Sequence, residues 1–375
     1  MVEIKEISSK KDIKKFISFP NKLYKGVKNF VPELFSEEYS MYFPETNFSF
    51  EYSKTKFFLC YKDGEIAGRV AAIVNEKANE QWDQKRIRFS RIDFIDDLEV
   101  SGALFGAVED WAKQLRLNEV QGPLGFSDLD KEGLLIDGFD RMGTSVTIYN
   151  YPYYPKHFEA HGYGKDTDWI EFRIKVPEKG DKRVERVSRL AKKVMDRSNI
   201  RFYNIKKIKE AKPIIIQIFS LLNECYKDLY GVVPYTDKIA QDYLRRFQPL
   251  LNPDYAKFII DENDKVVGFG LAAPSLTKAF QKSKGKMLPF GWFHLLKAVK
   301  FPKELDLFLV AVHPDYQKAG LAALLMNEIT AAAIKNGIKF AESNPELEDN
   351  KKVQDMWKNY DVEQHKRRRC YVKEL

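Results

Sequence analysis

The sequence is short of the features that mark secreted, membrane-spanning and metal-organised proteins. Cysteine occurs three times in 375 residues, at Cys60, Cys225 and Cys370. The number is odd and no two form a C-x-x-C pair, which excludes a disulfide framework and a zinc ribbon and leaves small buried apolar residues as the reading. No apolar run approaches the roughly 18 residues of a membrane span. The opening Met1-Val2-Glu3-Ile4-Lys5-Glu6 alternates apolar and charged residues as a first strand does, and lacks the apolar core of a signal peptide. A cytoplasmic protein is expected. Histidine is scarce too, with five in the chain. His157 and His161 stand at helical spacing, but Glu159 between them does not reproduce H-E-x-x-H and no third ligand is evident, so no metal site is predicted.

What is present describes an ordinary soluble globular protein, with 44% hydrophobic, 31% charged and 14% aromatic residues. Single cores tend to split before about 250 to 300 residues, so the length is comfortable for two domains. The net charge of +8 is compatible with nucleic acid, an anionic surface or an anionic cofactor as partner, and does not choose among them.

The chain also repeats itself. Tyr24-Lys25 leads to Val31-Pro32, and Tyr226-Lys227 leads to Val233-Pro234 at equal spacing. Each is followed by a hairpin: Phe57 to Tyr61 turns through Lys62-Asp63-Gly64-Glu65 into Ile66 to Ala71, and Lys257 to Ile260 turns through Asp261 to Lys265 into Val266 to Leu271. A strand, helix and strand follow, at Phe89 to Ile95, Leu104 to Leu115 and Glu119 to Gln121, then at Leu305 to Val312, Leu321 to Lys335 and Lys339 to Glu342. That spacing predicts a right-handed parallel unit. The expected fold is α/β with a mixed sheet in two tandem copies, residues 1–176 and 200–375. Between them, in 177–199, Val184, Val187, Leu190, Ala191 and Val194 recur at helical spacing among Arg and Lys, as in an amphipathic linker helix.

The sharpest chemistry follows Leu307. A buried strand through Val310, Ala311 and Val312 runs into a Pro-containing turn, and Gln317-Lys318-Ala319-Gly320-Leu321-Ala322 opens a long helix. Unpaired amides, the helix dipole and small residues make such a turn an anion cradle. Here the sequence resembles the GNAT acyltransferase superfamily, whose signature is a strand ending near Val-x-Pro, then Gln or Arg-x-x-Gly-x-Gly or Ala. Gln317, Gly320 and Ala322 match it, and the resemblance extends over Phe202 to Leu375. It implies that the turn amides hold the pyrophosphate of acetyl-CoA or another acyl-CoA, that Val310 to Val312 line its pantetheine, and that Asn350 contributes to the same site. It also implies a tyrosine seven residues beyond Asn350 as general acid, but Trp357 stands there, which leaves Tyr360 or a water for that role. Asp306 and Glu342 are the candidate bases.

The first copy lacks the cradle, since Asp96, Asp97 and Glu99 follow its strand, and three carboxylates repel a pyrophosphate. Its Tyr153 to Gly164 is similar to a closing GNAT helix. It is expected to complete the acceptor cleft, with the long Gly122 to Gly138 loop facing the second domain. Pro274 to Pro302 is a basic, aromatic insertion, either a lid beside the cleft or a surface helical hairpin. Strand alternation sends Arg367 and Arg369 to one face and Arg368 to the other, which splits the basic tail and argues against nucleic acid. The resulting expectation is an N-acyltransferase acting on an unidentified small-molecule or peptide amine. The alternatives are a non-catalytic CoA-binding module and a Fem-like transferase using aminoacyl-tRNA.

Overall fold

The computed structural model describes residues 1–248 and 251–375; the side chains of 190–192, 196–198 and 247 lie outside the described set, and with them Leu190 and Ala191 of the predicted linker stripe. In the first half the strands are β1 (Val2–Ile7), β2 (Ser53–Lys62), β3 (Glu65–Asn75), β4 (Arg86–Phe94), β5 (Glu119–Gly122), β6 (Leu134–Asp137) and β7 (Gly164–Lys175). Its helices are α1 (Lys10–Leu23), α2 (Phe35–Ser40), α3 (Glu76–Gln81), α4 (Leu98–Gln114) and α5 (Tyr154–Ala160). The linker forms α6 (Lys182–Ser198). The second half carries β8 (Arg201–Phe202), β9 (Ala256–Ile260), β10 (Val266–Pro274), β11 (Glu304–Val312), β12 (Phe340–Ser343), β13 (Glu346–Leu347) and β14 (Asp361–Glu374). Among these lie α7 (Ile215–Tyr226), α8 (Asp237–Phe247), α9 (Thr277–Ser283), α10 (Gly291–Lys300), α11 (Leu321–Lys335) and α12 (Lys351–Gln354).

The predicted repeats fold alike. Tyr24 follows the last residue of α1 and Tyr226 is the last of α7. The first hairpin turns on Asp63 and Gly64, both at positive φ, the primed turn whose twist suits two antiparallel strands. The conserved register places Gly68 opposite Phe94 in one copy and Gly268 opposite Val312 in the other. One helix boundary differs from expectation: α4 begins at Leu98, six residues before Leu104, because the Asp97 side chain caps it by accepting from the Glu99 and Val100 amides.

All strands join one mixed sheet in the order β1-β2-β3-β4-β5-β14-β7-β12-β11-β10-β9-β8, with β6 on β14 and β13 on β7. The closing strands are exchanged between halves. β14, from the C-terminus, pairs with β5 of the first half, and β7 of the first half pairs with β12 of the second. β7 and β14 pair with each other along most of their length and form the seam. Alternation along β14 operates as expected: Arg367 and Arg369 both bind Asp168, while Arg368 reaches Glu171 on the other face. The basic run is spent on internal ion pairs.

Candidate active site

In the second half the site arises where two parallel strands part. β11 and β12 pair from Glu304↔Phe340 to Leu307↔Ser343 and then separate. On its other side, the pairing of β11 with β10 shifts register between Leu271 and Ala272, so that Phe308 is skipped. A bulge of this kind bends the strand and re-aims its side chains. Leu305 and Leu307 pack with α11, whereas Leu309 and Ala311 pack with α7. Beyond the parting, side chains take the place of a neighbouring strand: Tyr226 Oη donates to the Val310 carbonyl at 3.0 Å, and Gln317 Nε2 and Cys225 Sγ to the Val312 carbonyl, each at 3.3 Å.

The parting opens a cavity of about 960 Å³. At one end are Gln317, Lys318, Ala322 and Asn350; along its length run Val310, Ala311 and Val312. Gly320 has a φ of +78°, which only glycine adopts without strain, and α11 begins beyond it with no side-chain cap. The first turn of α11 therefore presents backbone N–H groups that an anion can satisfy. Leu321 of the predicted cradle is fully buried in the core, and neither it nor Ala319 or Gly320 lines the cavity. One stretch of the wall is apolar, with Ile218, Phe219 and Leu222 of α7 and Phe258, Phe269 and Leu271 of β9 and β10.

The three residues predicted to be catalytic lie elsewhere. Asp306, Glu342 and Tyr360 are all absent from the cavity wall. Asp306 is buried on β11, and burial followed by the nearby Glu342 charge pushes its carboxyl up to about 7. Glu342 is held by Arg173 at 2.8 Å and Lys366 at 3.1 Å. Tyr360 is hydrogen-bonded to Thr330 at 3.2 Å within the α11 packing layer. Glu171, Glu342 and His365 converge as a metal site would, but the Lys366 ammonium already lies 2.9 Å from Glu171 and 3.1 Å from Glu342. The i, i+4 pair has another use: His157 Nδ1 and His161 Nε2 both bond Ser101 Oγ, at 2.8 and 2.9 Å.

Carboxylates that the sequence did not single out do line the cavity, Glu346 and Asp128 among them. Glu346, on β13, is pushed up to about 7 by burial, offset first by the Trp357 indole, which donates to its Oε1 at 2.8 Å. Its Oε2 is buried, and the Ser343 side chain further offsets the rise. Trp357, at the position where the resemblance implies a tyrosine, thus orients a carboxylate. Asp128, from the first-half loop, is pushed up to about 6 by burial, offset by a hydrogen bond from Tyr235. Leu129, Asp130 and Glu132 of the same loop also line the cavity, which puts that loop against the second half as predicted. Cys225, half-buried against the core around α7, lines it as well, and burial pushes its thiol up to about 11.

Residues 215–360 match the acetyltransferase (GNAT) family. The whole chain aligns with a tandem GNAT protein from the clavulanic acid biosynthesis pathway, at a TM-score of 0.57 and 9% identity, covering 100% of this chain and 98% of that one. The chain has the fold of that tandem protein. A probable N-acyltransferase from Enterococcus faecalis V583 shares the fold at a TM-score of 0.52 and 9% identity over all of this chain and 73% of that one. In sequence, the chain is 28% identical to Protein YghO of Escherichia coli K12, over 99% of its own length and 95% of the relative's. It is 25% identical to a bacterial ceramide synthase of Caulobacter vibrioides, over 97% and 95% respectively.

Proposed function

We propose that the chain is an N-acyltransferase that moves an acyl group from an acyl-CoA to an amine. The observation that carries this reading is the cavity of about 960 Å³, which runs from the uncapped start of α11 along the free side of β11 into an apolar interior. In this reading the donor supplies an activated thioester, and Gln317 to Ala322 hold its phosphates. Val310 to Val312 align its pantetheine arm, with Asn350 and Lys352 at the mouth. The fit rests on the donor set: backbone amides at a helix start for an anion, and strand carbonyls that side chains now satisfy for an amide-bearing arm.

The acyl group lies in the apolar arm between α7 and the sheet, a wall suited to a long chain more than to acetyl. Glu346 accepts the proton of the attacking ammonium, because a carboxyl near 7 is matched to that transfer at neutral pH. The N-terminal half, residues 1–176, completes the acceptor cleft through Asp128 and its loop, and 177–199 link it to the catalytic half, 200–375. The name of the Caulobacter vibrioides relative, bacterial ceramide synthase, points the same way, ceramide being an amide of a long-chain amine.

Calorimetry with CoA, acetyl-CoA and a long-chain acyl-CoA tests the binding. Ligand at 100 times its Kd stabilises the fold by about 2.7 kcal/mol, a rise of several degrees in melting temperature. Free thiol release across a panel of short and long-chain amines then tests transfer, with the long acyl donor expected to be fastest. No thermal shift at millimolar CoA sinks the reading outright. A shift without thiol release from any amine assigns the chain to CoA binding alone.

A further inference from the structure

The insertion between Pro274 and Pro302 is not a lid, since none of the residues from 275 to 302 lines the cavity. It forms α9 and α10, pinned to the first half. Gln281 Nε2 donates to the carbonyls of Lys28 and Phe30 at 2.8 and 2.9 Å, and the Phe35 amide donates to the Gly285 carbonyl at 2.8 Å. A Cβ added to Gly285, at φ +71°, would sit 2.0 Å from the Glu33 carbonyl oxygen, so the link between the two helices is seated closely on its neighbour. Leu276, Phe280 and Leu295 are buried there against Val31.

With one side of α10 used in that packing, the other side should be polar. Instead it is apolar. On α10 Trp292 is 46% exposed, Phe293 53% and Leu296 60%, and the flanking Leu288 (76%), Phe290 (71%) and Phe301 (64%) extend the patch beyond both ends of the helix. Elsewhere among the described residues, large exposed apolar side chains are scattered singly. A contiguous patch of this kind on a firmly seated element marks an interaction surface.

Charge identifies the partner. From Pro274 to Lys303 there are seven lysines and no acidic residue. Lys282, Lys284, Lys286, Lys297 and Lys300 are all exposed, and none of them forms a salt bridge among the described residues. A second copy of the chain would bring these lysines against their own kind. Aromatic and leucine side chains projecting among unpaired lysines are instead the composition that seats a protein in the headgroup layer of an anionic bilayer.

We propose that the α9–α10 face is a membrane-docking surface for anionic lipid, holding the protein on the bilayer without crossing it. The surface stands on its own observations, separately from the reading of the cavity. Its physical logic is that apolar side chains enter the interface while the lysines meet lipid phosphates.

Flotation of the full chain with vesicles of phosphatidylglycerol and phosphatidylcholine, against vesicles of phosphatidylcholine alone, tests it. The expected result is binding to the anionic vesicles that weakens with salt. Leu288→Ser/Phe290→Ser/Phe293→Ser lowers it by on the order of tenfold. Lys284→Glu/Lys286→Glu/Lys297→Glu lowers it by on the order of 100-fold. All six positions are exposed, so both variants are expected to keep the parent melting temperature, which checks that they fold. Absence of flotation by the parent chain overturns the proposal, as does flotation that neither variant changes. A concentration-dependent dimer that the serine variant abolishes, without vesicle binding, gives the face to a second copy and overturns it equally.

Discussion

The two halves hold the same slot in opposite conditions. Between α7 and the free side of β11 lies a cavity of about 960 Å³, walled by the second half and by the Asp128 loop of the first; the space beside α1 and β4 in the first half amounts to about 40 Å³. The register shows how it was filled. Phe269 faces Ala311 across β10 and β11, while at the equivalent pair Arg69 faces Asp93, joined by a salt bridge of 2.7 Å. Where Tyr226 caps a strand carbonyl beside open space, Tyr24 bonds Asp93 and Tyr154. Tyr154 and Tyr153 in turn take the Phe94 amide and carbonyl, and the Tyr154 ring stacks on Phe94 at 4.1 Å. Hydroxyls of the protein's own side chains stand where an extended ligand would bond. The helix start differs in the same sense: Gly320 leaves the amides of α11 free, and Asp97 caps those of α4 with a carboxylate. The first half keeps the fold with its slot filled by its own side chains.

The largest expected effect tests whether the open slot is catalytic. Glu346→Gln keeps an acceptor for the Trp357 indole but cannot take a proton, so thiol release should fall by about 10² to 10⁴ while CoA still binds. In the parent protein kcat/KM should rise with pH through about 7, because the carboxyl must be ionised to act and burial has raised it to that range. A parent profile flat from pH 5 to 8, or a glutamine variant of equal rate, removes Glu346 from the chemistry. A smaller effect comes from making the second half imitate the first. Ala322→Glu puts a carboxylate in the first turn of α11, which suits the helix dipole but opposes a phosphate, and should weaken CoA binding by at least about tenfold in calorimetry. Unchanged affinity would mean that the phosphates lie elsewhere. The smallest effect comes from the reverse operation. Asp97→Ala should lower stability by about 1 kcal/mol through the lost cap, yet binding should stay at one CoA per chain because the plug remains. A second equivalent of CoA would break the comparison.

Local pattern made much of this architecture legible. The span of α11 was read as Leu321 to Lys335 because its apolar stripe and Gly337 bound it, and the strands of both copies fell within a few residues of their observed limits. Asp97 was read as repelling phosphate and is also the cap that starts its helix six residues early, since a capping carboxylate and an acidic loop look alike in sequence. Glu346 was missed because β13 is two residues long and no spacing links it to Trp357, eleven positions on. Asp128 acquires its position only from Tyr235, 107 residues away. Asp306 and Glu342 drew notice as strand carboxylates, but side-chain identity does not reveal which face of a bulged strand meets the cavity. The exchange of closing strands left no mark either, because β7 and β14 would satisfy the same alternation in their own halves.

That exchange sets the order in which the protein can be made. Tyr371 to Glu374 pair with Gly122 to Glu119 and are synthesised long after them. In the finished fold β5 keeps this side for β14, which at 5 to 20 residues per second follows the first half by roughly 10 to 40 s. During that interval the free side of β5 is an exposed strand edge, the kind of surface that nascent-chain chaperones cover. A ribosome that stalls before Asp361 would release a chain in which neither half is finished.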